Sequence, residues 1–332
     1  MATVMTYAAA VENTIIAEMK RDPTIYYFST WLPSQAIVDA VGWDRAMYSG
    51  IEETQAIGSA VGSAVAGMRP IYDTWVDFYL EGWGQLVLQA AKLRFKLGYT
   101  RDVPAVFKMA VGFQWGGSVH HSSCCHNWMA NAPGLLVVYA STPADAVGLW
   151  RTALRQAKDP VVICEPDYIA GYSIQGPVPE ADYTIPFGQG EVKLQGTDVT
   201  IAAVGAYWVS VALAAAADLA KQGISAEVWD PRTLTPFDRA SLIVSVQKTG
   251  AMVVVDQAPK SFGTTGEFFA TVGEALTPIP PMARVASMDV PVGFSKPLEE
   301  YLLPSKDKII SAVKGVLSRK SGTAAVAPPP GK

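Results

Sequence analysis

Near-continuous apolar runs of strand length recur along this chain, and helix-length segments separate most of them. They read TIYYFS (24–29), RPIYDTWV (69–76), VPAVFKMAV (103–111), LLVVYA (135–140), PVVICE (160–165), DVTIAAVGA (198–206), ISAEVWD (224–230) and AMVVVDQ (251–257). A strand with one wet face alternates apolar and polar residues, whereas a strand apolar at nearly every position is covered on both faces. Such strands in alternation with helices specify an α/β fold of parallel sheets with helices on either side. The spacing predicts helices over 5–20, 52–68, 80–97, 144–157 and 210–222. Thr6 is placed to cap the first, and Asp22-Pro23 to end it.

The alternation breaks once. Residues 166–196 are rich in Pro, Gly and polar groups and read as a linker with an embedded hairpin. That division predicts two parallel-sheet α/β domains, over 1–165 and 197–318, and the Pro/Ala/Gly-rich stretch 319–332 reads as a disordered tail. A chain of 332 residues, half of them apolar, has the material for two cores. The net charge of −4 and the lack of any Lys/Arg run give no reason to expect a nucleic-acid partner. Glu12 and Glu18 interrupt the N-terminal segment where a leader would be apolar. No window reaches the ~18 apolar residues of a membrane span. A soluble, cytoplasmic protein with reduced thiols is expected.

The densest chemistry lies in GGSVHHSSCCHNW (116–128), which holds all three histidines and two of the three cysteines. His120, His121, Cys124, Cys125 and His126 are zinc-ligand types, but structural zinc sites use ligand pairs separated by a loop. No second pair exists in the chain, so no metal is expected there. A Cys–His nucleophilic pair needs a third group to orient the base, and the sequence singles out none. A second unusual segment is the helix over 52–68, crowded with Gly, Ala and Ser. Glycine costs about 1 kcal/mol per helix position relative to alanine. Either tight packing on a sheet or close approach of another backbone or a ligand accounts for it.

Longer stretches carry a resemblance. MTYAAAVENTIIAEMKRDP, GSAVAGMRPI, DF followed by QLVLQAAKLRF, HS ahead of NWMANAPGLLVVYASTPADAVGLW, GTDVTIAAVGA, ISAEVWDPRTLTPFD and MDVPVGFSKPLEEYLLP occur in family order from Met5 to about Leu317. The chain resembles the beta subunit of the thiamine-diphosphate-dependent first component of 2-oxo acid dehydrogenase complexes. The resemblance implies a transketolase-like pyrimidine-binding domain and a transketolase-type C-terminal domain. It implies that Glu53 bonds a ring nitrogen of the cofactor's aminopyrimidine, favouring the tautomer whose exocyclic nitrogen takes a proton. An acid favoured by a helix N-terminus would look the same in sequence. It also implies that Phe78 packs on that ring and that His121, beside Ser122, faces the reacting carbonyl. The family anchors magnesium and diphosphate through a GDG motif, which is absent from this chain. A partner alpha subunit carrying that motif, in an α2β2 assembly that binds Mg2+ mainly through the partner, is therefore implied. An acyltransferase core is a further implied partner.

The rim departs from the family. Thr30 occupies the place of an acid after the first strand, Ser123 replaces a glutamine, and His126 a glutamate. Thr30, Ser122 and His126 are thus the candidates for the substrate pocket. Three functions follow: a 2-oxo acid dehydrogenase or decarboxylase subunit, a C–C lyase or ligase acting on an acyloin or diketone without a lipoyl acyltransferase, and a non-catalytic structural subunit.

Overall fold

A computed structural model describes residues 2–112, 116–166 and 173–322. In chain order its strands are β1 (Ala2–Thr6), β2 (Ile25–Ser29), β3 (Ala46–Tyr48), β4 (Arg69–Trp75), β5 (Val106–Val111), β6 (Leu136–Val138) and β7 (Val161–Pro166). They continue as β8 (Gln175–Pro179), β9 (Glu191–Leu194), β10 (Val199–Ala203), β11 (Ala226–Asp230), β12 (Thr233–Thr235), β13 (Met252–Pro259) and β14 (Met282–Ser287). One sheet has the order β12-β6-β7-β5-β4-β2-β3 and a second β14-β13-β10-β11-β9. All neighbours in both are parallel except the edge strands β12 and β9, which pair antiparallel. Two transketolase-like α/β units result.

Alternation along each strand explains the layers. Ile71, Val106 and Val161 pack with Val11 and Ile15 of helix Tyr7–Arg21 and with Leu149 and Trp150 of helix Pro143–Gln156. Their neighbours Tyr72, Phe107 and Val162 face the other way. There they join Ile57 and Ala60 of helix Glu53–Val65, and also Val204, Leu242 and Val254 of the second unit. One continuous core therefore runs between the two sheets. Beyond the second sheet, helices Ala206–Ala220 and Lys306–Lys320 cover Val199, Ile201, Val253 and Val255.

The caps follow the sequence. Thr6 Oγ1 accepts from Ala9 N at 3.2 Å, and Asp22 closes that helix. Thr142 caps Pro143–Gln156, and Gly250, left-handed at φ 65°, ends Arg239–Thr249. Four features differ from expectation. The stretch over 80–97 holds a π-helix, Gly84–Ala90, running into Ala91–Lys96 rather than one α-helix. The stretch read as a linker contains β8, which pairs with β1, and β9, which extends the second sheet. β12 crosses back to close the first sheet against β6. Helix Lys306–Lys320 enters the stretch read as a tail, of which 323–332 lie outside the described residues. No helix is long and apolar enough to cross a membrane among the described residues.

Candidate active site

In a parallel sheet, ligands bind beyond the carboxyl ends of the strands. There β3 leads into helix Glu53–Val65, whose first residue is Glu53. Its carboxylate sits where the helix dipole favours negative charge, yet the residue is only 8% exposed. Ala56, Ile57, Ala60, Val61 and Ala64 bury one face of that helix, while Gln55, Ser59 and Gly62 remain exposed on the other. A Cβ on Gly82 would stand 3.3 Å from the Glu53 carbonyl oxygen and 2.3 Å from Ile57 Cδ1. The small residue there lets the following segment press on the first helical turn. Tyr72 on β4 senses the site: burial, then the charge of Glu53, raises its hydroxyl above the ordinary range. A cavity of about 200 Å3 opens beside the helix, with Tyr26, Phe28, Tyr48, Ser49, Glu52 and Gln55 among its lining residues.

β4 ends in the short helix Val76–Tyr79, which presents Phe78. His121 comes from the 3₁₀ turn Val119–His121 and stands edge-on to Phe78 at 5.1 Å and to Trp75 at 4.6 Å between ring centroids. The backbone N–H of Ser123 donates to Asp77 Oδ2 at 3.2 Å, which ties the two turns together. His120 is exposed and His121 half-buried, so the adjacent histidines have different surroundings. His121 Nδ1 and Ser122 Oγ are buried without a hydrogen-bond partner among the described residues. Buried polar atoms are nearly always paired, and these two are available to a ligand. Thr30, following β2, shares a hydroxyl–hydroxyl bond of 2.9 Å with Thr74 on β4. Trp31 beside it lies 5.5 Å from Trp75. Phe78, His121, Ser122 and Thr30 are thus brought to one end of the first sheet.

His126 is placed elsewhere. Instead of lining a rim, it is wholly buried, with Nε2 3.0 Å from the buried Asp256 Oδ2 of β13. Asp256 also accepts from the Thr264 hydroxyl and from Ala258 N. The cause is local: helix His126–Ala130 begins at this residue and turns its first side chain to the second unit. Cys124 and Cys125 are also buried, and burial pushes the Cys125 thiol up to about 12, far from a reactive thiolate. Among the described residues no cluster of His, Cys, Asp and Glu could hold a metal ion.

One charged group escaped the sequence reading. Lys108 Nζ on β5 lies 2.9 Å from Asp73 on β4 and 3.5 Å from Glu165 on β7. Tyr27 donates its hydroxyl to Asp73, and Trp150 Nε1 donates to Glu165 at 2.8 Å. Burial works to lower the Lys108 ammonium, but the two carboxylates hold it above its ordinary value. Single charges inside the apolar runs RPIYDTWV, VPAVFKMAV and PVVICE were the available signal.

Comparison with known proteins gives a consistent result. Residues 3–168 match the family model described as transketolase, pyrimidine binding domain, and residues 188–309 that of transketolase, C-terminal domain. The chain is 34% identical over 334 residues to the acetoin:2,6-dichlorophenolindophenol oxidoreductase subunit beta of Cupriavidus necator, covering 95% of this chain and 98% of the relative. It is 32% identical to the 2-oxoisovalerate dehydrogenase subunit beta of Bacillus subtilis (94% and 98% covered). Identity is also 32% to a mitochondrial pyruvate dehydrogenase E1 component subunit beta-2 of Oryza sativa (97% and 89%). Among solved structures, a split gene transketolase described as an inactive beta4 tetramer has the same fold, with a TM-score of 0.77 at 23% identity over 95% of this chain and 98% of that one.

Proposed function

The chain belongs to the family of dehydrogenase E1 beta subunits built from transketolase pyrimidine-binding and C-terminal domains, and on that premise we propose that it supplies the pyrimidine half of a thiamine-diphosphate site. The supporting observation is the buried carboxylate of Glu53 at the carboxyl edge of a sheet that also carries Phe78, His121 and two orphaned polar atoms. These residues fit the aminopyrimidine: a carboxylate for a ring nitrogen, an aromatic face, and polar groups left for a reacting oxygen. When bound, thiamine diphosphate supplies the electron sink for cleaving a C–C bond next to a carbonyl.

The chain's own groups then have separate tasks. Glu53 accepts a hydrogen bond from the protonated ring nitrogen and fixes the tautomer. Phe78 sets the ring plane. His121 holds or moves a proton at the substrate oxygen through Nδ1, with the Ser122 hydroxyl beside it, while Thr30 borders the substrate. The diphosphate and Mg2+ fall to a partner alpha subunit in an α2β2 assembly, which we place in the cytosol. A 2-oxo acid is the leading substrate class, with transfer to an acyltransferase core following. Full-length similarity to the acetoin oxidoreductase subunit favours an acyloin as the second reading.

Glu53→Gln tests the assignment, because it removes charge and keeps shape. In the assembled enzyme it should lower turnover by several orders of magnitude, at about 1.4 kcal/mol of barrier per tenfold. Thiazolium proton exchange at the unaltered rate in that variant would reassign Glu53.

A further inference from the structure

We infer that the substrate carries an uncharged, ring-bearing side chain that docks on a wall formed by Trp31 and Trp75, an inference that rests on the reading just given. Trp75 is the centre of the wall, with Trp31 at 5.5 Å, His121 at 4.6 Å and Phe78 at 5.9 Å between ring centroids. All four rings are partly exposed, so the cluster keeps an open side. Its polar capacity lies at one end, where His121 Nδ1 and Ser122 Oγ have no partner among the described residues. A reacting carbonyl or hydroxyl placed there leaves the rest of the molecule lying along the indoles.

The polar groups bordering the wall are otherwise engaged. The hydroxyls of Thr30 and Thr74 bond to one another at 2.9 Å, and Asp77 takes the N–H of Ser123. Among the described residues, no Lys or Arg stands over Trp31, Trp75 or Phe78. The Lys108 ammonium is held between Asp73 and Glu165 and carries no spare charge. A second carboxylate on the substrate would therefore lose water against indole faces, gain no cation from the described residues of this chain, and meet Asp77. A flat ring instead finds tilted and edge-on partners at the spacing aromatic pairs prefer.

The experiment uses the complex of this chain with its diphosphate-binding partner, loaded with thiamine diphosphate and Mg2+. Phenylpyruvate, 2-oxoisovalerate, pyruvate and 2-oxoglutarate are compared by carbon dioxide release, with phenylacetylcarbinol cleavage as an acyloin arm. The phenyl-bearing acid should exceed pyruvate in kcat/KM by at least ~10-fold, the scale expected for removing one such group from water, and 2-oxoglutarate should rank last. Trp75→Leu and Trp31→Leu should each lower the phenylpyruvate-to-pyruvate ratio by ~10-fold, through KM rather than kcat. If Trp75→Leu fails to assemble, Trp31→Leu still decides. A ratio unmoved by substitution, or 2-oxoglutarate equal to phenylpyruvate, overturns the inference and leaves the proposed function intact. Turnover of none of these compounds overturns both.

Discussion

His120 and His121 are adjacent in sequence, but only His121 meets the rings of Trp75 and Phe78. His121→Ala in the assembled enzyme should cost at least ~100-fold in rate, the usual contribution of a positioned acid or base. His120→Ala, at an exposed position, should cost less than ~10-fold; steady-state kinetics of the pair decides, and the reverse ranking would move the catalytic role to His120. His126 has a different expectation, because its imidazole shares a sealed interface with Asp256. His126→Ala removes one of the three polar contacts of that carboxylate, the others being Ala258 N and the Thr264 hydroxyl, and should cost about 1–3 kcal/mol. Urea unfolding measures it, and an unchanged midpoint would show that the pair contributes nothing. Composition could group the three histidines, and only the family resemblance singled out His121. A residue 130 positions away fixes the surroundings of His126, and no local spacing carries that information.

At the level of elements, the periodicities that bury strands on both faces were legible, and the cap at Thr6 formed where its side chain predicted. The edge strands were not legible. β9 is short and half-buried, and the strand it pairs with, β11, follows only after β10 and helix Ala206–Ala220. β12 is three residues long and pairs with a strand of the other unit. Between these strands lies a charged cluster: Lys193 of β9 and Arg232 meet Asp145 at the start of helix Pro143–Gln156. Asp230 of β11 lies 3.7 Å from the same lysine and accepts from the Ser141 hydroxyl. Burial pushes its carboxyl up to about 6, with Lys193 opposing and Asp145 adding. A folded-state value above the ordinary 3.8 means that the folded protein holds this proton more tightly. Its stabilising contribution is complete below about pH 4 and is lost as pH rises through 6. Asp145, held low against its own burial by Lys193 and Arg232, has the opposite slope and weakens in acid. Asp230→Asn removes the first slope. Relative to the unaltered chain, that variant should gain stability as pH rises from about 4 to about 6. Equal differences in urea midpoint at both ends would refute the protonated assignment.

At the scale of the whole molecule, the proposed function sets half of a catalytic centre on a scaffold of two packed sheets. Its two sheets share a continuous core. The site's aromatic and carboxylate side chains face one end, and the chain contains no GDG sequence to hold a diphosphate. Family membership was legible from long ordered segments because they encode this scaffold. The substrate wall was less legible, since Trp31 and Trp75 come from different strand ends and meet only after β2 and β4 pair. The central claim is that pyrimidine recognition and diphosphate recognition reside on different chains. Calorimetric titration of thiamine diphosphate with Mg2+ into this chain alone, and then into the complex with its partner, tests it directly. No measurable heat of binding is expected from the isolated chain at ~100 μM ligand, a concentration at which even a 1 mM site would hold only a small bound fraction, while the complex should bind tightly. Micromolar, Mg2+-dependent binding to the isolated chain would contradict the division of the site.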